Sequence, residues 1–363
     1  MITRRIHIAV LDVDVPVPNV YAAQGLYSSQ FRVLLQAAVA RLNKASKLAT
    51  GPIAIHTTAY DAVGGALPPL QGLRSQPRGQ GTADPENFRC GPLGAIDAVL
   101  ITGSSASVYA FDKYPWIRPL QTFIQTVYAE FPHVKLFGSC FGHQLIAQAL
   151  LSLHNPLVQP HEAFKVEACP LGAEVGIQPI KLHSSFVTRF PCLETAAASS
   201  VSSDSERDFC IQLIHLDRVV PEKAGVLQDV RSSDLCMPSS DETNASMTLP
   251  SGWISIGGSA KCPIQGLYNP RRVLTYQGHF EFDSFVTRET CVEFARRLNW
   301  PAADVQDYLA CIDRACVPGS EDADDSKLAA EVVVLFFAGE DAGSQEILMP
   351  METGILTPPL EIQ

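Results

Sequence analysis

Two kinds of apolar segment alternate along the first 150 residues. Ile6-His7-Ile8-Ala9-Val10-Leu11 is a continuous apolar run of strand length, residues 24–43 carry apolar side chains at helical spacing, and Pro52-Ile53-Ala54-Ile55-His56 is strand-like again. Strand, helix and strand in that order predict a β-α-β unit and a parallel sheet. Ala98-Val99-Leu100-Ile101 predicts a third strand. A helix over 116–130 follows, with Trp116, Ile117, Leu120, Phe123, Ile124 and Val127 on one face, then a fourth strand over 133–137 and a helix beginning near Gly142. Beyond residue 165 the runs shorten, with strands predicted over 175–180, 210–215 and 273–277 and a helix over 289–298. The fold class this predicts is α/β: three layers, with a largely parallel central sheet and helices on both faces. Segments rich in Gly, Pro or polar residues at 64–92, 196–207 and 231–251 read as loop insertions. Residues 1–318 are expected to form one large domain and 319–363 an acidic C-terminal extension, in which 332–337 is a strand candidate.

Composition narrows the classes. With 46% hydrophobic and 18% charged residues over 363 positions, the chain can bury a core, which excludes disorder along its length. No apolar stretch reaches the roughly 18 residues of a membrane span, and the short apolar run at the start is not a signal h-region. A cytoplasmic protein is the expectation, with no membrane partner. The ten cysteines contain no C-x-x-C pair and are expected to be reduced. The net charge of −11 argues against nucleic acid as a partner, because phosphate contacts need clustered cations. Most of that charge is local. Residues 319–363 hold ten acidic residues against Lys327 alone, so the rest of the chain is close to neutral.

Chemistry concentrates at Gly138-Ser139-Cys140-Phe141-Gly142, between a predicted strand and a predicted helix. A nucleophile elbow needs glycines there, since a Cβ on either side would meet neighbouring backbone. The helix N-terminus favours a thiolate, and the amide of Phe141 points toward an oxyanion formed beside the sulfur. A thiolate nucleophile requires a base, and the base an orienting carboxylate. Tyr276-Gln277-Gly278-His279-Phe280-Glu281 supplies both after a strand: residues i and i+2 of extended chain share a side, so Glu281 can hold the His279 ring from behind.

With these residues in view, the sequence resembles the class I glutamine amidotransferases. The elbow continues as Gly142-His143-Gln144, and the later His-x-Glu stands as His279-Phe280-Glu281. Ile101-Thr102-Gly103-Ser104-Ser105, Glu174-Val175-Gly176, His215-Leu216-Asp217 and Cys262-Pro263-Ile264-Gln265-Gly266 add matches in order over roughly residues 5 to 300, most similar to the stand-alone, GMP-synthase-like branch that includes γ-glutamyl peptidases. The resemblance implies Cys140 as nucleophile, His279 as acid and base, and Glu281 as orienter. It implies the amides of Gly103 and Phe141 as oxyanion hole, and Gln144, His215 and Asp217 at the substrate. His143, one position from Gln144 on a helix, points about 100° away and reads as structural. One departure stands out, Phe280 where the family has proline.

What the resemblance implies for function is hydrolysis of a γ-glutamyl amide through a Cys140 thioester, with no cofactor and no metal. The substrate is glutamine or another γ-glutamyl small molecule. Glutamine would require an ATP-dependent synthase or ligase partner, because no Ser-Gly-Gly phosphate loop follows residue 300; a tailoring role in secondary metabolism fits this setting. The alternatives are a stand-alone γ-glutamyl peptidase on glutathione-type conjugates and a non-catalytic interaction protein that kept the fold.

Overall fold

The alternation within each apolar run decides the layering. In the computed structural model, which describes residues 3–77, 90, 93–155, 158–198, 208–222, 249–314 and 324–341, strand β1 (Arg4–Asp12) sends Ile6, Ile8 and Val10 into one hydrophobic cluster. Its Ala9 and Leu11 enter a second cluster on the opposite face, as a two-residue period requires. Next come β2 (Ile53–Asp61), β3 (Ala98–Ile101) and β4 (Lys135–Ser139), then β5 (Phe164–Ala168), β6 (Glu174–Ile177), β7 (Lys181–Leu182), β8 (Gln212–His215) and β9 (Asp217–Pro221). The last strands are β10 (Ile254–Ser255), β11 (Gly257–Gly258), β12 (Leu267–Asn269) and β13 (Val273–Tyr276). Among the described residues the main sheet runs β10-β12-β13-β4-β3-β1-β2. β13, β4, β3, β1 and β2 pair in parallel, while β12 and β10 are antiparallel.

Helices cover both faces. α1 (Pro18–Gln24) stops at Gly25, whose φ of +75° suits glycine, and α2 (Tyr27–Lys44) follows, so the helical pattern over 24–43 is realised as α2 preceded by a separate short helix. Phe31, Leu35, Ala38 and Leu42 of α2 join the first cluster. α3 (Ile117–Glu130) and α4 (Phe141–Leu151) occupy the other face through Leu120, Ile124, Leu145 and Ile146. The chain also forms α5 (Ser184–Val187) and α6 (Pro191–Ala198), then α7 (Ser284–Leu298) and α8 (Ala302–Ile312). Val286, Cys291 and Ile312 of the last two pack with Val20 of α1 in a third cluster.

Residues 332–337 are not a strand, which corrects the expectation. They lie within α9 (Ser326–Ala338), and Ala329, Ala330 and 332–338 are all buried. An apolar run of this kind reads alike in a strand and in a helix buried on every side, so periodicity does not separate them. Gly339 closes α9 in the left-handed region. Lys135 Nζ donates to Phe336 O at 2.6 Å and Arg4 Nη2 to Ala338 O at 2.7 Å, placing two cations on the helix's terminal carbonyls. Of the segments read as insertions, 78–89, 91–92, 199–207 and 231–248 lie outside the described residues, as do 319–323 and 342–363 of the extension.

Candidate active site

β4 turns into α4 at Cys140, which has φ +49° and ψ −104°, backbone angles that a side chain rarely adopts and that project it from the end of the sheet. The turn closes only around glycine. A Cβ on Gly138 would lie 2.4 Å from the carbonyl of Gly142, and one on Gly142 would lie 2.5 Å from Ile101 O. The backbone N–H of Cys140 donates to Tyr276 O at 2.8 Å, tying the elbow to β13. Phe141 opens α4, so its N–H is among the first four that have no carbonyl partner within the helix.

Parallel pairing of β13 with β4 sets Tyr276 opposite Ser139, and the segment beyond Tyr276 therefore arrives beside Cys140. His279 N–H donates to Gln212 O at 2.7 Å, fixing the backbone of that segment against β8. Its Nδ1 stands 2.7 Å from Glu281 Oε1, which also accepts from Ser139 Oγ at 2.9 Å. Phe282 stacks on the imidazole with centroids 4.0 Å apart and planes at 12°. Burial works against a charged ring, but the Glu281 carboxylate, the charge of Cys140 and hydrogen bonds to both raise His279 to about 10. Gly103 belongs to the same point: a Cβ there would lie 2.8 Å from His279 Cε1 and 3.7 Å from Cys140 Cβ. Cys140, His279 and Gly103 line one cleft, along with Asp14, Tyr27, Ser104, Ile214, Phe282 and Arg297 among others.

Phe280 packs where the family's proline would stand. Its buried ring makes edge contacts with Phe31, Phe137 and Tyr276 at centroid distances of 5.6, 5.7 and 5.8 Å. Ring packing thus holds the His279–Glu281 turn in place of proline's fixed φ.

Gln144, His215 and Asp217 form a separate layer behind the sulfur. Gln144 Nε2 donates to Asp217 O and to Gln277 Oε1, both at 3.1 Å, and Gln277 Nε2 donates to Cys140 Sγ at 3.6 Å. His215 Nδ1 lies 3.1 Å from Asp217 O, and its Nε2 lies 3.1 Å from Glu174 Oε2, at ion-pair distance but off hydrogen-bond direction. Burial opposes the Glu174 charge, yet His215, Ser259 and Lys261 hold its carboxyl below the usual range. The Asp217 carboxylate accepts from Tyr109 OH at 3.0 Å. These three residues are next to the nucleophile's surroundings and outside the lining of the cleft that holds Cys140 and His279. His143 pairs with Thr275 Oγ1 at 2.8 Å, and burial, then His215, lower it to about 3, so it stays neutral.

The chain is 25% identical over 280 residues to a "putative glutamine amidotransferase-like protein" of Schizosaccharomyces pombe, covering 77% of this chain and 81% of that one. It is 29% identical over 195 residues to a "putative glutamine amidotransferase" of Saccharomyces cerevisiae, covering 53% of this chain and 55% of that relative. The chain is similar to glutamine amidotransferase-like proteins. No family model matches it. Among solved structures, a glutamine amidotransferase of Thermotoga maritima aligns with a TM-score of 0.48 and 13% identity over 92% of this chain and 96% of that one. A glutamine amidotransferase of Methylobacillus flagellatus aligns with a TM-score of 0.40 and 12% identity, over 93% of this chain and 92% of that one.

Ser139, Gln277 and Phe282, which contact Glu281, Cys140 and His279, and Arg297, which lines the cleft, are residues that the sequence reading did not single out. Two were within reach of it. Ser139 sits inside the elbow, and Gln277 lies two positions before His279, on the same side of an extended segment. Phe282, three positions beyond His279, carries no motif of its own, and Arg297 is brought there by α7, which packs back on the cleft. Among the described residues, no group of three or more His, Cys, Asp or Glu side chains could hold a metal ion, and no helix is long and apolar enough to cross a membrane.

Proposed function

We propose that the protein hydrolyses γ-glutamyl amides through a thioester on Cys140. The observation that carries this reading is the buried His279 with Glu281 at 2.7 Å on one ring nitrogen and Cys140 in the same cleft. The Cys140 thiolate attacks the γ-carbonyl carbon, and the amides of Gly103 and Phe141 receive the oxyanion, a contribution of about 3 kcal/mol per donor in comparable sites. The protonated His279 gives its proton to the leaving nitrogen, the C–N bond breaks and the γ-glutamyl thioester remains. Water then attacks the thioester while His279 takes its proton, and the thiolate leaves as glutamate forms. Glu281 keeps Nδ1 protonated and leaves Nε2 for the exchange.

Glutamine is the simplest substrate, and its ammonia would pass to an ATP-dependent synthase or ligase partner that uses it. A second reading, a stand-alone γ-glutamyl peptidase, gains support from the cleft beyond His279, where Phe294 and Arg297 provide a wall and a charge that ammonia does not need. The test is release of ammonia from glutamine, and of free amine from glutathione or a γ-glutamyl amide, by wild type and Cys140→Ala. Release by wild type with a loss of at least ~10³-fold in the variant is expected. Equal rates contradict the mechanism, and no release from any substrate favours a non-catalytic protein or the need for a partner.

A further inference from the structure

The side of Cys140 on which a leaving group must sit is set by His279, because that ring protonates the departing nitrogen. Phe282 stacks on the outer face of the ring, and Asp283 caps α7 by accepting from Val286 N at 2.8 Å, so α7 starts beside the general acid and leads away from it. Thr290, Phe294 and Arg297 of α7 all line the cleft. Their spacing of i, i+4 and i+7 is one stripe of a helix, about 10 Å long from first to last. Thr290 is at the buried end and Arg297 at the half-exposed end, so the stripe runs from the interior to the surface.

Arg297 is the one Lys or Arg among the described residues that line the cleft. Its Nε donates to Glu293 Oε1 at 2.7 Å, which steadies the guanidinium and leaves the Nη groups for a ligand. The other charged side chain at the cleft mouth, Asp14, is already occupied. It accepts from Ser105 N and Ser105 Oγ at 2.7 Å and from Val15 N at 2.8 Å, which bind it to the loop that carries Gly103. A cation in the lining of the cleft that holds the nucleophile and the general acid matches the terminal carboxylate of a short peptide. Ammonia has no group that could use it.

We propose that Arg297 binds the carboxylate of an amino-acid or dipeptide leaving group, so that the enzyme selects γ-glutamyl peptides over glutamine. This assignment rests on the γ-glutamyl amide reading above. The test measures kcat and KM on γ-glutamylglycine, glutathione, γ-glutamyl ethylamide and glutamine for wild type, Arg297→Gln and Arg297→Lys. The expected result is a rise in KM of roughly tenfold for γ-glutamylglycine and glutathione, whose leaving groups bear a carboxylate, in Arg297→Gln, with kcat retained and partial rescue by Arg297→Lys. Ethylamide and glutamine kinetics should not change, which also shows the variant to be folded. An equal rise for all four substrates overturns the assignment by placing Arg297 at the glutamyl group, and no change for any of them overturns it as well. Wild type inactive on all four overturns the underlying reading, and this assignment with it.

Discussion

At the scale of single residues, the coupling of His279 to Glu281 makes a pH signature. The ring's proton affinity in the folded protein, about 10, exceeds the ordinary value near 6.5, so the pair stabilises the fold fully below about pH 6.5 and loses that stabilisation as pH rises through about 10. Because the protonated ring is the acid of the first step, kcat/KM should fall on the alkaline side near pH 10. Glu281→Gln removes the carboxylate, and a pH–rate profile should show that limb moved toward neutrality with kcat reduced by ~10²–10⁴-fold. A limb that stays in place contradicts the role given to Glu281. The elbow, the His and the Glu were legible because each rests on a local rule: glycines where a Cβ would collide, and a two-residue spacing just beyond a strand, although the pair stands in the bend after β13 and not in extended chain. Phe280 was legible only as a departure. What replaces the proline is a cluster of rings from α2, β4 and β13 that no local pattern announces.

At the scale of elements, the strands that build the centre of the main sheet were readable, while the short strands after residue 163 were read only in part and the last helix was misread. Strands β1 to β4 follow from short apolar runs, and the parallel pairing of β13 with β4 places the elbow and the His-Glu turn side by side. α9 misled because Val332-Val333-Val334 and the following Leu and Phe residues have strand propensity, while the helical reading depends on a layer of core that surrounds them. α9 is consequently a structural member. Its Phe336 is fully buried, with Tyr268 at 6.4 Å and the Lys135 ammonium 4.7 Å above its ring. Phe336→Ala should cost about 3–5 kcal/mol in urea unfolding. Glu331→Ala, which removes the partly exposed pair with Arg41 at 2.8 Å, should cost no more than ~1 kcal/mol. Similar losses in both variants would mean that the helix is held by its charges and not by its apolar side chains.

At the scale of the whole molecule, the acidic excess after residue 319 is partly put to use. Asp325 accepts from Cys210 N at 2.9 Å, Asp341 from Tyr268 OH at 2.7 Å and Arg271 N at 3.0 Å, and Glu340 from Thr50 N at 2.9 Å. Four acids, counting Glu331, thus tie residues 324–341 to three separate parts of the body. Composition could locate that charge in the sequence and could not say that Asp325 and Asp341 are buried. The same limit applies to the cleft. Its reacting end comes from neighbouring strand ends, whereas Asp14 and Arg297 line it from segments 283 positions apart. The central claim is covalent, and it is tested most directly by acid-quenching the full chain during turnover of a γ-glutamyl amide and measuring the intact and peptide masses. The account predicts an adduct of one glutamyl group on Cys140, absent from Cys140→Ala and discharged when substrate is exhausted. Substrate hydrolysis with no such adduct, at an undiminished rate in Cys140→Ala, would contradict it.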